Sequence, residues 1–304
     1  MHFDETRIAI RERNGIEVLD LSVTLLRVFL RPCLTLFMIG AAPFIAWNFL
    51  LTYWMPILDN DAATIDVAGT VWRYLWAQTL LVFIQAPLAA SFVTSFLGRA
   101  AFDSAPSYRE VLADVRLAGS KLIWSMGIVR LAFPVSLALL TLDRAGPFQA
   151  RMEIVMMGTA CLVVAVTRIG RPFLPEIIIL EKNPFRTTEP DTVTVVRRNR
   201  ELHSLNSGEL VVRWATTSLV CLTLFSSIYF TLLFLQGMFF NLWTQNSIFM
   251  LYIAIPTALW TSALFVSLAR YLNYLDQRIR YEGWEVELKL KAEGRRLVAT
   301  PLAK

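Results

Sequence analysis

The chain is poor in the residues from which metal centres, disulfides and most active sites are built. It has three cysteines and two histidines among 304 residues. Cys33, Cys161 and Cys221 all fall at or within apolar runs and share no paired spacing, so they read as reduced packing residues. The metalloprotease helix H-E-x-x-H, the nucleophile turn G-x-S-x-G and the phosphate loop G-x-x-x-x-G-K-[ST] are all missing. These absences point to a non-enzymatic protein that needs no metal and no cofactor. Charge is scarce as well: 17% of residues are Asp, Glu, Lys or Arg, against roughly a quarter in a soluble domain. Proton- or cation-coupled transport ordinarily places Asp, Glu or His inside the bundle. Glu153 alone lies inside an apolar run, at its outer edge, where it is expected to be solvated.

What the chain has in abundance is hydrophobic residues, 56% of the total. They concentrate in six runs, at residues 33–57, 74–98, 122–142, 152–167, 214–240 and 247–269. A hydrocarbon core of ~30 Å needs ~20 helical residues, and only helices or closed barrels satisfy their backbone there. The runs do not alternate as barrel strands do, so the expected fold is all-α, a polytopic membrane protein of six transmembrane helices. The expected organisation is an N-terminal amphipathic helix at 1–32, a membrane domain at 33–270 and a helical tail at 271–304. The first thirty residues mix acids and bases with apolar positions, unlike a cleavable signal. Ile16, Leu19, Val23, Leu26 and Leu30 form a helical stripe that suits a helix lying in the interface.

Basic residues alternate between the two sides of the runs. Arg7, Arg11, Arg13, Arg27 and Arg31 precede the first, while the next connection holds Asp59, Asp61 and Asp66 and no base. The third and fifth connections and the tail are basic, the sixth is uncharged, and the pattern puts both termini in the cytoplasm. The net charge of +5 thus gathers beside span ends, where it meets anionic head groups; membrane lipids are expected as partners and nucleic acid is not.

A weak threefold pattern runs through the chain. Charged, partly apolar stretches at 16–30, 108–120 and 191–213 precede the odd-numbered runs, and the even runs end at Arg99, Arg171 and Arg270. Three copies of an in-plane helix plus a transmembrane hairpin would produce it; so would coincidence in any six-span chain. Pro43, Pro87, Pro134 and Pro256 lie inside runs and read as plain kinks. The polar stripe of the fifth run, Ser218, Thr223, Ser226, Ser227 and Thr231, reads as helix-packing surface.

Two intramembrane polar residues stand out: Gln85, beside Pro87, and Arg130, four residues before Pro134. Arg130 lies nine residues beyond Lys121, ~13 Å deeper at ~1.5 Å per residue. It is either a buried cation facing a polar cleft for a lipid phosphate or other anion, or an arginine snorkelling to the interface. At the ends of the fourth and sixth runs, Arg171, Glu176, Asp276, Arg278, Arg280, Glu282 and Trp284 form a candidate cytoplasmic interaction site. Glu176 is expected at the interface or paired with Arg168 or Arg171. The tail is read as a helix continuing the sixth span, with Gly283 as a bend. Its i,i+4 pairs Glu285/Lys289 and Glu287/Lys291 support that reading.

The tail from Tyr274 to Glu287 fits Y-x-D-x-R-[IV]-R-x-E-G-[WF]-[DE]-[LV]-E. In this it resembles a group of uncharacterised bacterial six-span proteins, itself similar to the membrane domain attached to some glycerophosphodiester phosphodiesterases. The resemblance implies a protein of the bacterial inner membrane. The soluble phosphodiesterase domain and its metal-binding carboxylates are missing, so that activity does not carry over. The expectation is therefore an inner-membrane assembly scaffold or lipid-organising protein with a membrane or cytoplasmic protein partner. The alternative is a transporter or lipid-translocating protein using a polar cleft around Arg130 and Gln85.

Overall fold

A computed structural model describes residues 12–56, 67–101, 106–141, 150–187, 192–204 and 207–283. The described residues form helices and connections and contain no strand. Helix α1 (Gly15–Val28) leads almost without interruption into α2 (Leu30–Thr52), followed by α3 (Val67–Ala89) and α4 (Ser91–Ala100). Helix α5 (Tyr108–Leu122) runs into a π-helical segment, Ile123–Val129, and then α6 (Ala132–Leu140). After α7 (Ala150–Gly170) come a short turn, α8 (Leu174–Glu176), the π-helical segment Ile177–Glu181 and α9 (Val195–Ser204). Two long helices close the described residues, α10 (Ser207–Phe240) and α11 (Ile255–Glu282), the latter preceded by the π-helical segment Met250–Ala254.

Five of these helical stretches are long and apolar enough to cross a membrane, and a sixth counts if the bent pair Tyr108–Val129 and Ala132–Leu140 is one span. The protein is a multi-pass helical membrane protein. Its centre is the α3–α4 stretch, whose most apolar window is 78% buried, packed against α11 at 56%. The same measure is 33% for α2, 17% for α7 and zero for α10, so these helices form the rim and turn their apolar surface outward.

Local sequence explains several boundaries. Asn14 caps α1: its carboxamide oxygen accepts the Glu17 N–H at 2.8 Å, and the Glu17 carboxylate accepts the Asn14 N–H at 3.1 Å. Gly283, at φ 65°, caps α11 in the left-handed conformation that glycine adopts without strain. The rest of the tail, with Trp284, Glu285/Lys289 and Glu287/Lys291, lies outside the described residues.

Other expectations need correction. The buried face of α1 is Val18, Ser22 and Leu25, whereas Ile16, Val23 and Leu30 of the predicted stripe are exposed. Ile16, Val23 and Leu30 face outward, as an interfacial helix requires, while Leu26 of the stripe joins Val18 and Leu25 in packing on the bundle. The third run is not a helix kinked at Pro134: it breaks at Arg130–Leu131, with Leu131 at φ 64° and a 52° bend. The charged stretch before it is continuous with its first half. The hydroxyls of Ser218, Thr223 and Thr231 donate to carbonyls one turn back on α10 itself, not to a neighbouring helix. Glu153 is buried, not solvated. Its carboxylate takes the Arg73 Nε at 2.7 Å and a second guanidinium nitrogen at 2.5 Å, joining α7 to α3. Such a bidentate pair offsets the desolvation of both groups.

The α2–α3 contact is close because Gly40 has no side chain. A Cβ there would stand 2.2 Å from the carbonyl oxygen of Ala89, a backbone atom with no room to rotate away. Gly40→Ala is therefore expected to destabilise the protein by about 1–3 kcal/mol, read as a lowered melting midpoint in detergent. The same change at Gly158, which has nothing within 4 Å, should leave the midpoint unchanged.

Candidate functional site

At the end of the bundle where α1 begins and α11 stops, three groups of charged side chains lie side by side. They rest on a core of Val115, Ala118, Phe173, Ile177, Leu202 and Tyr274, which joins α5, the 173–181 segment, α9 and α11.

The first group centres on Asp276, which is fully buried. Its carboxylate accepts the Arg13 backbone N–H at 2.8 Å and pairs with Arg213 at 2.8 Å and Arg280 at 3.1 Å. Both guanidiniums also donate to the Arg13 carbonyl, at 2.6 and 2.7 Å, and both pair with Glu209, at 2.6 and 3.3 Å. The segment before α1, the start of α10 and the last turns of α11 are thereby locked together.

The second group centres on Arg198 of α9. It pairs with Glu181 at 2.8 Å and with Glu282, which also takes Arg278 at 2.9 Å. The Tyr274 hydroxyl donates to Glu181 at 2.7 Å, and its ring meets that of Phe173. Burial alone would lower the Arg198 guanidinium, but the Glu181 and Glu282 carboxylates outweigh it and hold it above its ordinary value.

The third group is built differently. Glu176 is fully buried and pairs with Arg270 at 2.6 Å, not with Arg168 or Arg171. Arg130, 4% exposed, donates to the Arg171 carbonyl, and the half-buried Arg168 donates to the Phe83 carbonyl and lies over the Phe83 ring at 3.9 Å. Those are neutral acceptors, so among the described residues no carboxylate pairs with either charge. Arg130, Arg168 and Arg270 all line one cleft of about 120 Å³, with Ile169, Val211, Trp214 and Val266 as an apolar wall. Arg130 Nε, one terminal nitrogen of Arg270 and His203 Nε2, all from lining residues, are buried without a hydrogen-bond partner. The helix break at Leu131 is what places Arg130 here: its side chain returns to the level of Arg171, just past the end of α7.

Gln85 does not belong to this site. Its side-chain carbonyl accepts from Asn48 Nδ2 at 2.8 Å, between α3 and α2, and it is not among the cleft's lining residues. Arg171 contributes its carbonyl; its side chain is exposed. Asp276, Arg278, Arg280 and Glu282 enter the two neighbouring ion-pair groups. Arg168, Arg270, Arg213, Arg198, Glu181, Glu209 and His203 were not singled out from the sequence as site residues. The available signal was the arginine closing each even-numbered run.

Comparison of the chain with family models, with curated proteins and with solved structures gives no match.

The Asp276 lock has a direct consequence. Asp276→Asn keeps the shape but leaves Arg213 and Arg280 one buried counter-charge short, and is expected to cost about 3 kcal/mol. Glu282→Gln, at a side chain 23% exposed, is expected to cost under about 1 kcal/mol. Melting of both variants in the same detergent checks the ranking.

Proposed function

We propose that this is a non-enzymatic, lipid-organising protein of the bacterial inner membrane that seats an anionic head group in the Arg130–Arg168–Arg270 cleft. Six spans arranged as three helix-plus-hairpin units, with both termini cytoplasmic, are part of the same proposal. So is the kinship of its tail motif with the membrane domain found on glycerophosphodiester phosphodiesterases. In this arrangement the cleft lies at the cytoplasmic interface, where anionic lipids meet basic side chains. The observation that carries the reading is three guanidiniums lining one cleft, of which only Arg270 pairs with a carboxylate among the described residues, with buried side-chain nitrogens left without a partner. Arginine suits such a role because its planar fork matches phosphate oxygens in pairs.

A scaffold that captures a protein partner through the tail draws less support. Tyr274 already binds Glu181 and Glu282 already binds Arg198 of the same chain, and Arg278 pairs with Glu282. Translocation through a path joining Arg130 to Gln85 also draws less, since Gln85 closes on Asn48 instead.

Lipids that co-purify from native membranes, identified by mass spectrometry, provide the test. The wild-type protein is expected to retain an anionic lipid, and Arg168→Gln with Arg270→Gln to lose it. An identical lipid complement in wild type and variant would remove the cleft from the account.

A further inference from the structure

The charged groups of this protein differ in one respect: most match cation for anion, and one does not. Among the described residues, Arg213 and Arg280 face Glu209 and Asp276. Arg197, Arg198 and Arg278 face Glu181, Glu201 and Glu282. Arg99 and Lys182 face Glu110 and Asp114, and Arg73 faces Glu153. Around the cleft, Arg270 pairs with Glu176, while Arg130 and Arg168 donate only to backbone carbonyls. The excess there is two positive charges, in surroundings of low dielectric where unmatched charge is costly.

We infer that the cleft takes a phosphate monoester, a group carrying close to two negative charges on one phosphorus. This rests on the anionic-ligand reading above and narrows it. A phosphodiester, with one negative charge, would leave one guanidinium unmatched, whereas a monoester carries about −1.5 to −2 at neutral pH. It also offers three terminal oxygens to side chains that line the cleft from several elements: Arg130 after the π-helical segment, Arg168 on α7, Arg270 on α11 and His203 on α9. Size agrees. At about 120 Å³ the cleft is small beside the ~300–1,000 Å³ pockets that enclose whole small molecules. It suits a bare phosphate better than one bearing a further head-group alcohol. The apolar wall of Ile169, Val211, Trp214 and Val266 then provides a surface for the chains of a monoester lipid.

The test uses the full-length protein in phosphatidylcholine nanodiscs doped with phosphatidic acid, phosphatidylglycerol or cardiolipin, with inorganic phosphate added to undoped discs as a fourth arm. The rise in melting midpoint is titrated against the amount of each. Phosphatidic acid is expected to act at about tenfold lower mole fraction than phosphatidylglycerol, the ratio one extra charge-assisted hydrogen bond sets. Arg168→Gln should bring that ratio toward one; His203→Ala serves as the second variant where Arg168→Gln does not fold. Inorganic phosphate reproducing the effect would uphold the monoester chemistry and overturn the membrane as its source. Phosphatidylglycerol equal to phosphatidic acid, or cardiolipin acting more strongly, would overturn the monoester and leave an anionic-lipid cleft standing. A response to none of the anions would overturn both readings, as would an unchanged preference in both variants.

Discussion

Two carboxylates with no exposed surface, Asp276 and Glu176, organise this end of the molecule. A bare carboxylate cannot stay ionised in an apolar interior, so each must collect cations and N–H donors from whatever elements can reach it. Asp276 draws in the backbone before α1, Arg213 of α10 and Arg280 one turn further along α11. Among the described residues, Glu176 draws in Arg270 and no second cation, leaving its other oxygen unpartnered. The first arrangement is closed; the second is open. The difference between a structural lock and a candidate binding site is thus a difference in how completely two buried acids are satisfied.

Much of the fold was legible because membrane spans depend on run length, and the apolar runs are long. Partners were not legible, because they are set by tertiary structure across great sequence distance. Glu176 and Arg270 are 94 residues apart, and Arg73 and Glu153 are 80 apart. Glu153 read as solvated because it stands at the edge of its run; nothing local announces that Arg73 faces it. The packed face of α1 was not legible for another reason. In a membrane protein both the packed face and the lipid face are apolar, so periodicity alone cannot tell Val18 and Leu25 from Ile16 and Val23. Arg130 was legible as an oddity from its depth after Lys121. Its companions Arg168 and Arg270 were hidden among ordinary span-end arginines, and Gln85 was a polar residue with a nearby partner in Asn48.

The break in the third apolar run connects backbone geometry to the candidate site. A continuous α-helix through Arg130 would not carry the left-handed residue Leu131, and strain of this kind costs of order 1–3 kcal/mol. It is found beside the one residue of that run that supplies a buried guanidinium to the cleft. The π-helical segment before it, Ile123–Val129, is a second departure from regular geometry at the same place. The rim position of α10 completes the picture. No residue of its apolar window is fully buried, and Trp214 and Val211 of that helix form one wall of the cleft, next to where lipid would lie.

The central claim is that Glu176 alone restrains an excess of positive charge that an anionic lipid otherwise neutralises. Glu176→Gln removes that carboxylate at nearly constant volume, so its melting midpoint, measured with and without anionic lipid, tests the claim most directly. The account predicts a lower midpoint than wild type in lipid-free detergent and a larger rise on adding anionic lipid. An equal rise in variant and wild type would contradict it.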